Sequence, residues 1–181
     1  MDLPQLKTKR LRLRPLTYND TDRIFEIFSN PDVTRYWGHD TLEEKEEANE
    51  FIQRTISGSK DESLLEWGII SNQNQELIGT CALSGLDQEH HRAEVGFALH
   101  PQYWGNGYMI EALPAILRFG FIKLKLHRIE ADVDPRNSSS INLLEKFNFQ
   151  KEGLMRERYF INGEIQDALF YGLLRSEFKR F

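Results

Sequence analysis

The chain has 181 residues, 40% of them hydrophobic and 28% charged, with a formal net charge of −5 and a pI near 5.6. That length suits one domain with a sizeable core. The acidic balance argues against direct nucleic acid binding, since phosphates need a basic footprint, while a cationic partner is tolerated or weakly attracted.

Cys81 is the only cysteine, which excludes an intramolecular disulfide and a cysteine-rich zinc site. The opening "MDLPQLKTKRLRLRPL" carries frequent charges and no apolar h-region, so it does not read as a signal peptide. No run approaches the apolar length of a membrane span. The expectation is a cytoplasmic protein with no membrane partner.

In chain order, "KRLRLRPL" alternates Arg10, Arg12 and Arg14 with Leu11 and Leu13, a strand stopped by Pro15. Its basic stripe reads as a solvated or ion-paired face. "NDTDRIFEIF" opens on cap-type residues and sets Ile24, Phe25 and Phe28 at helical spacing. "TLEEKEEANEFIQRTI" reads as an acidic amphipathic helix with its charges in water. "LLEWGIIS" and "LIGTCALSGL" flank a turn-rich "NQNQE", predicting a hairpin. Cys81 on the second of these strands reads as a small core residue.

"AEVGFALH" predicts a third strand of this run, followed by Gly105-Asn106-Gly107 and a helix. On that helix Ile110, Leu113, Leu117, Phe121 and Leu124 recur at helical intervals and predict one apolar face. Pro114 within it should kink or shorten the helix. "HRIEADVD" predicts a strand with Ile129, Ala131 and Val133 facing one way, and "SSSINLLEKF" a short helix after Asn137. The closing "FQKEGLMRERYFINGEIQDALFYGLL" reads as two strands joined at Asn162-Gly163, a strong hairpin signal. The expected class is α/β or α+β on a mixed sheet.

The glycine turn between a strand and a helix is the arrangement that binds anions through backbone N–H groups. It is no P-loop, lacking the lysine-threonine pair. It is no dinucleotide fingerprint either, lacking the third glycine and lying past mid-chain. A tight turn without a ligand is the plain alternative. In the preceding strand Val95, Phe97 and Leu99 share a core-like face; Glu94, Gly96 and Ala98 share the other. Glu94 there is either a carboxylate beside room for a ligand or half of an ion pair with Arg92. His90 and His91 would point to opposite faces of a strand, and His39, His100 and His127 are scattered. No metal is expected.

Taken together, "AEVGFALHPQYWGNGYMIEAL" and "DPRNSSSINLLEKFNF" resemble the GNAT superfamily of N-acetyltransferases. The likeness is greatest to the branch holding the ribosomal-protein N-terminal alanine and serine acetyltransferases. It extends over the opening and closing segments, roughly residues 7 to 174, taken as a single N-acetyltransferase domain with 175–181 as a C-terminal tail.

The resemblance implies a GNAT fold: a mixed, mostly antiparallel sheet, helices on both faces, and a splayed strand pair that holds coenzyme A. It implies that the phosphate loop, Gln/Arg-x-x-Gly-x-Gly/Ala, falls on Trp104, Gly105, Asn106, Gly107, Tyr108 and Met109 and grips the CoA pyrophosphate. Trp104 departs from the Gln/Arg position, as is usual in the branch, and Met109 stands where a small residue is common. Phe97, Ala98 and Leu99 would lend backbone groups to pantetheine. Asn137 and Ser140 match Asn-x-x-Ser near the thiol, although Asn137 also suits a helix N-cap.

Acylation needs a neutral amine, and Glu94 matches the branch's base. The superfamily's frequent Tyr acid is replaced by Leu144, leaving Ser140 as the implied acid. Asn148 stands for the glycine after it and can take a left-handed conformation. The implied reaction is acetyl transfer from acetyl-CoA to a primary amine, by direct attack in a ternary complex. The acceptor is a peptide N-terminus or, alternatively, a small-molecule amine. A non-catalytic acyl-CoA-binding module is the other alternative. Specificity is expected in the first two helices and the "RYWGHD" loop, and oligomeric state stays open.

Overall fold

The computed structural model describes residues 2–161 and 163–179. Eight strands form one sheet in the order β1-β2-β3-β4-β5-β6-β8-β7. They are β1 (Leu6–Lys7), β2 (Leu11–Pro15), β3 (Leu64–Ser71), β4 (Leu77–Asp87), β5 (Arg92–Leu99), β6 (Arg128–Val133), β7 (Gln150–Ile161) and β8 (Glu164–Leu174). Every neighbouring pair is antiparallel except β5–β6. That parallel pairing covers only Arg92, Ala93 and Glu94, against Arg128, Ile129 and Glu130. Beyond Glu94 the two strands part, so the β6-facing edge of Val95–Leu99 has backbone groups to offer a ligand.

The helices are α1 (Thr21–Phe28), α2 (Pro31–Thr34), α3 (Lys45–Asp61), α4 (Tyr108–Arg118) and α5 (Ser138–Lys146). Apolar packing occurs on both faces of the sheet. Ile24, Ile27, Ala48 and Ile52 of α1 and α3 pack with Ile70, Leu77 and Ala98. Leu113, Ile116 and Leu117 of α4, with Leu144 of α5, pack against Trp67, Ile69, Cys81 and Val95. Covering both faces explains why "LLEWGIIS" is almost continuously buried rather than alternating.

Two expectations about local structure are corrected. Met109, Ala112, Leu113, Ile116 and Leu117 form the buried face of α4, whereas Ile110 is 45% exposed. The true stripe starts one residue earlier than the interval count implied. Pro114 lies inside α4, whose α-helical part stops at Arg118, short of Leu124, and passes into a π-helical turn, Phe119–Lys123. Deep burial of Leu113, Ile116 and Leu117 offsets the hydrogen bond that Pro114 cannot donate. His90 and His91 lie in the turn between β4 and β5, not on a strand, with His91 at φ 51°.

The acidic helix begins at Lys45 and extends to Asp61, and four-residue α2 had no periodic signal to reveal it. β7 and β8 form the expected hairpin; Gly163 takes φ 78°, while Asn162 lies outside the described residues. Asn148 adopts the left-handed conformation, φ 67°. After β8, Phe178 packs on Phe121 with ring centroids 5.0 Å apart. Among the described residues, no helix is long and apolar enough to cross a membrane.

Candidate active site

The turn entering α4 is built from two left-handed glycines, Gly105 at φ 72° and Gly107 at φ 73°. A side chain is strained in that region, which is why glycine stands at both positions. Space around Gly105 is open: a Cβ there would meet nothing within 4 Å. The helix therefore starts with N–H groups that need an acceptor and no local side chain cap.

This turn lies on the wall of a cavity of about 640 Å3. Phe97, Ala98, Leu99, Trp104, Gly105, Gly107, Tyr108, Met109, Asn137 and Ser140 all line it. Ten of the eleven expected cofactor-binding residues thus meet in one space, although strand, turn and α5 are far apart in the chain. Asn106 is the exception. Its carbonyl accepts from Arg10 Nη1 at 3.0 Å, and its side-chain amide donates to the Trp104 carbonyl at 3.0 Å. Trp104 Nε1–H donates to the Leu99 carbonyl at 2.7 Å, tying the turn to the end of β5. Asn137 caps α5, its side-chain oxygen accepting from the Ser140 N–H at 3.1 Å. The N-cap and the cavity-lining readings of Asn137 hold together.

Glu94 lies in a second, smaller cavity of about 90 Å3, with Tyr36, Gly38, Asp132, Asp134, Tyr159, Ile161, Gln166 and Asp167. Ser140 and Glu94 therefore line different spaces, and Tyr36 lines both. The ion pair of Glu94 with Arg92 is not made. Arg92 reaches Asp87 at 3.4 Å and Glu130 at 3.1 Å, because Asp87 is its ladder partner and Glu130 lies across the parallel pair.

Burial pushes the Glu94 carboxyl up, the charges of Asp132 and Glu130 push it further, and Arg158 pulls back weakly. Asp132 is raised chiefly by burial, against the Tyr159 hydrogen bond and the Arg158 charge. Tyr159 donates to Asp132 Oδ2 at 2.8 Å, and burial with that bond pushes its phenol up to about 12. The phenol is thus a fixed donor, and the two carboxylates hold protons more readily than free ones. Asp134 is held by the Arg136 guanidinium at 2.7 Å, and Asp167 accepts the Glu157 N–H at 2.7 Å.

Asp132, Tyr159 and Tyr36 were not singled out from sequence. A signal for the first was present: in "RIEADVD", Glu130 and Asp132 alternate with the buried Ile129, Ala131 and Val133. Nothing local marks Tyr159. A register shift between Met155 and Tyr159, with Glu157 at φ 53°, sets its position in β7. Tyr36 belongs to the "RYWGHD" loop expected to govern specificity, and that loop walls both cavities through Arg35, Tyr36, Trp37 and Gly38.

Comparison with known proteins agrees with this architecture. The family model for an acetyltransferase (GNAT) domain matches residues 10–150. A Bacillus subtilis (strain 168) protein, named as the uncharacterised N-acetyltransferase YoaA, is 39% identical over 172 residues, covering 95% of this chain and 97% of the relative. Among solved structures, spermidine N-acetyltransferase from Vibrio cholerae, in complex with CoA and spermine, superposes with TM-score 0.83 at 28% identity, over 93% of this chain and 97% of that one. Mycobacterium smegmatis RimJ, in complex with CoA-disulfide, shares the fold with TM-score 0.88 at 20% identity, over 97% and 89%. The splayed β5–β6 pair, the glycine turn at the head of α4 and the matched span lead to one conclusion: this chain belongs to the GNAT family of N-acetyltransferases.

Proposed function

We propose that the protein transfers the acetyl group of acetyl-CoA to a small, multiply charged primary amine, with Glu94 as the proton acceptor. The observation that carries this is the small acidic cavity: Glu94 and Asp132 share it with Tyr159, and Tyr36 joins its wall to that of the larger cavity. A cationic amine offsets the like charges that Glu94 and Asp132 impose on each other. In the larger cavity the two glycines suit a pyrophosphate, and the free edge of β5 suits the amide groups of pantetheine.

The amine must lose its ammonium proton before it can attack. Glu94, whose carboxyl burial raises above its ordinary value, takes it directly or through one water. Nitrogen then attacks the thioester carbonyl; a C–N bond forms and the C–S bond breaks. Backbone N–H groups on the splayed edge of β5 stabilise the oxygen that gains charge. The second proton leaving nitrogen balances the one that the thiolate takes up through the Ser140 hydroxyl.

A peptide N-terminal α-amine is the second reading, on one observation. β7 is the outermost strand of the sheet, and its Tyr159 and Ile161 line the acidic cavity, so an extended peptide could pair along it. A single-pot competition separates the two, with acetyl-CoA, spermidine, peptides with free Ala or Ser termini, and the same peptides blocked but bearing Lys. Mass spectrometry identifies the products and thiol release measures turnover. Acetylated spermidine is the expected product. Acetylation of free termini alone overturns the small-amine reading, and absence of thiol release with any acceptor overturns catalysis on these amines.

Asp132→Asn provides a test of the acidic pair. With the neighbouring charge removed, the ionised form of Glu94 is favoured and its pKa falls. The acidic limb of the kcat/KM profile is expected to move to lower pH, while KM for the amine rises. An acidic limb that stays where the wild type has it rules out coupling between the two carboxylates.

A further inference from the structure

We propose that Arg10 is a positioning residue for acetyl-CoA, pinning the glycine turn of α4 through Asn106 and neutralising Glu111 beside it. The proposal rests on the reading that this turn grips the CoA pyrophosphate.

Arg10 lies just before β2 in the basic stripe, far in sequence from the turn it touches. Its Nε donates to Glu111 Oε2 at 2.7 Å, and its own backbone N–H donates to Glu111 Oε1 at 2.5 Å. The Thr8 hydroxyl donates to the same Oε1 at 2.5 Å. Its Nη1 donates to the Asn106 carbonyl, and its guanidinium stacks over the Tyr108 ring, 4.5 Å from the centroid. One side chain therefore holds residues 106, 108 and 111, the loop and first turn of α4.

Two physical consequences follow for an anion at this turn. In a trans peptide the C=O and N–H point in opposite directions. Holding the Asn106 carbonyl on Arg10 therefore turns the Gly107 N–H away from Arg10 and keeps that oxygen out of the N–H cluster. This matters because both flanking glycines are otherwise free to rotate. Glu111 is the second consequence. A carboxylate in the first turn complements the helix dipole but competes with, and repels, a pyrophosphate at the same N-terminus. Burial alone would raise the Glu111 carboxyl; the Arg10 N–H, the Thr8 hydroxyl and the Arg10 guanidinium together hold it lower, so it stays ionised and needs its cation. The planar fork of Arg10 serves Glu111 and Asn106 at once, which a lysine ammonium cannot reproduce.

The test compares acetyl-CoA with S-acetyl-pantetheine, which lacks the pyrophosphate, and measures CoA binding by calorimetry. Arg10→Ala is expected to weaken CoA binding about tenfold, the scale of one lost charge-assisted hydrogen bond network. The preference for acetyl-CoA over S-acetyl-pantetheine, as a ratio of kcat/KM, should fall by a similar factor, with the loss in KM rather than kcat. Adding Glu111→Gln to Arg10→Ala should recover part of the loss, since the unpaired charge is then gone. Arg10→Lys keeps the charge and the stem, and carries the test should Arg10→Ala fail to fold. It is expected to leave CoA binding at least about threefold weaker than wild type.

An unchanged Kd in Arg10→Ala overturns the proposal. So do equal losses with both acyl donors, which would mark a general effect on the fold, and full recovery in Arg10→Lys, which would mark simple charge attraction. Wild-type protein that binds pantetheine as tightly as CoA removes the pyrophosphate reading itself, a separate failure visible before any variant is made.

Discussion

Glu94→Gln is expected to lower kcat/KM by about 10²–10⁴-fold, the range for losing a positioned general base, while CoA binding is retained. The two effects separate because Glu94 lines the small acidic cavity and not the larger one that holds the glycine turn. The variant should also lose the acidic limb of the wild-type pH profile. In the wild type the Glu94 carboxyl is raised by burial and by Asp132 and Glu130. It must be ionised to accept a proton, so kcat/KM should climb with pH through that raised value. The limb should accordingly lie above the ordinary carboxylate range. Glutamine keeps the shape and the hydrogen-bonding reach but cannot take the proton. Steady-state rates of thiol release across pH 5–9, set beside CoA binding by calorimetry, read both effects. A Glu94→Gln enzyme with the wild-type rate removes Glu94 from the chemistry.

The second large effect concerns stability and lies away from either cavity. Glu66 is buried on β3, alternating with Leu65 and Trp67, and its carboxyl is pushed from an ordinary value near 4.5 up to about 7 by burial, against smaller opposing effects of Thr80 and Arg54. A carboxyl raised in the folded state binds its proton more tightly there than in the unfolded chain. Between pH 4.5 and 7 the folded state therefore holds more protons, and stability falls as pH rises through that window. Above it the full cost is on the order of 3 kcal/mol. Glu66→Gln removes the charge and keeps the shape. At pH 8 it is expected to raise the melting temperature by roughly 5–10 °C, on the scale appropriate to this size of chain. At pH 5 the gain should shrink toward zero, because wild-type Glu66 is then largely protonated. Thermal melts of both proteins at the two pH values decide it, and superimposable melts at pH 8 would show that Glu66 carries no such cost.

Raised carboxylates at Glu66 and Glu94 have the same leading cause but different settings. Glu66 is buried on β3, where Arg54 of α3 acts on it, and it lines neither of the two cavities described above, so its proton affinity appears as a cost to folding. Glu94 lines a cavity where another acid, Asp132, adds to the effect. The same desolvation there falls on a carboxyl that faces a cavity, the setting the proposed base requires.

Local chemistry made several elements legible. "LLEWGIIS" and "LIGTCALSGL" are continuous apolar runs bounded by turn residues, and they become β3 and β4 with almost the same limits. Asn148 tolerates φ 67°, as its short amide side chain allows. The basic stripe of Arg10, Arg12 and Arg14 is engaged, with Arg10 on Glu111, Arg14 on Asp20 at 2.7 Å and Arg12 donating to Gln75. Interval counting cannot distinguish the centre of a stripe from its rim, and only contact with the sheet puts Ile110 at the rim and Met109 inside.

The sequence by itself determined the class of fold and the glycine turn at the head of α4. Positive φ favours glycine and buried strands demand apolar runs, and both requirements are met within a few residues of chain. Tertiary structure alone decided what those parts face. The parallel register of β5 on β6 sets Glu94 beside Glu130, and the common cavity adds Asp132. The shifted register of β7 on β8 supplies Tyr159, and the approach of the residues before β2 to α4 places Arg10 on the Asn106 carbonyl of the glycine turn. Electrostatic coupling falls with distance and rises with burial, and both quantities are properties of residues tens of positions apart in the chain.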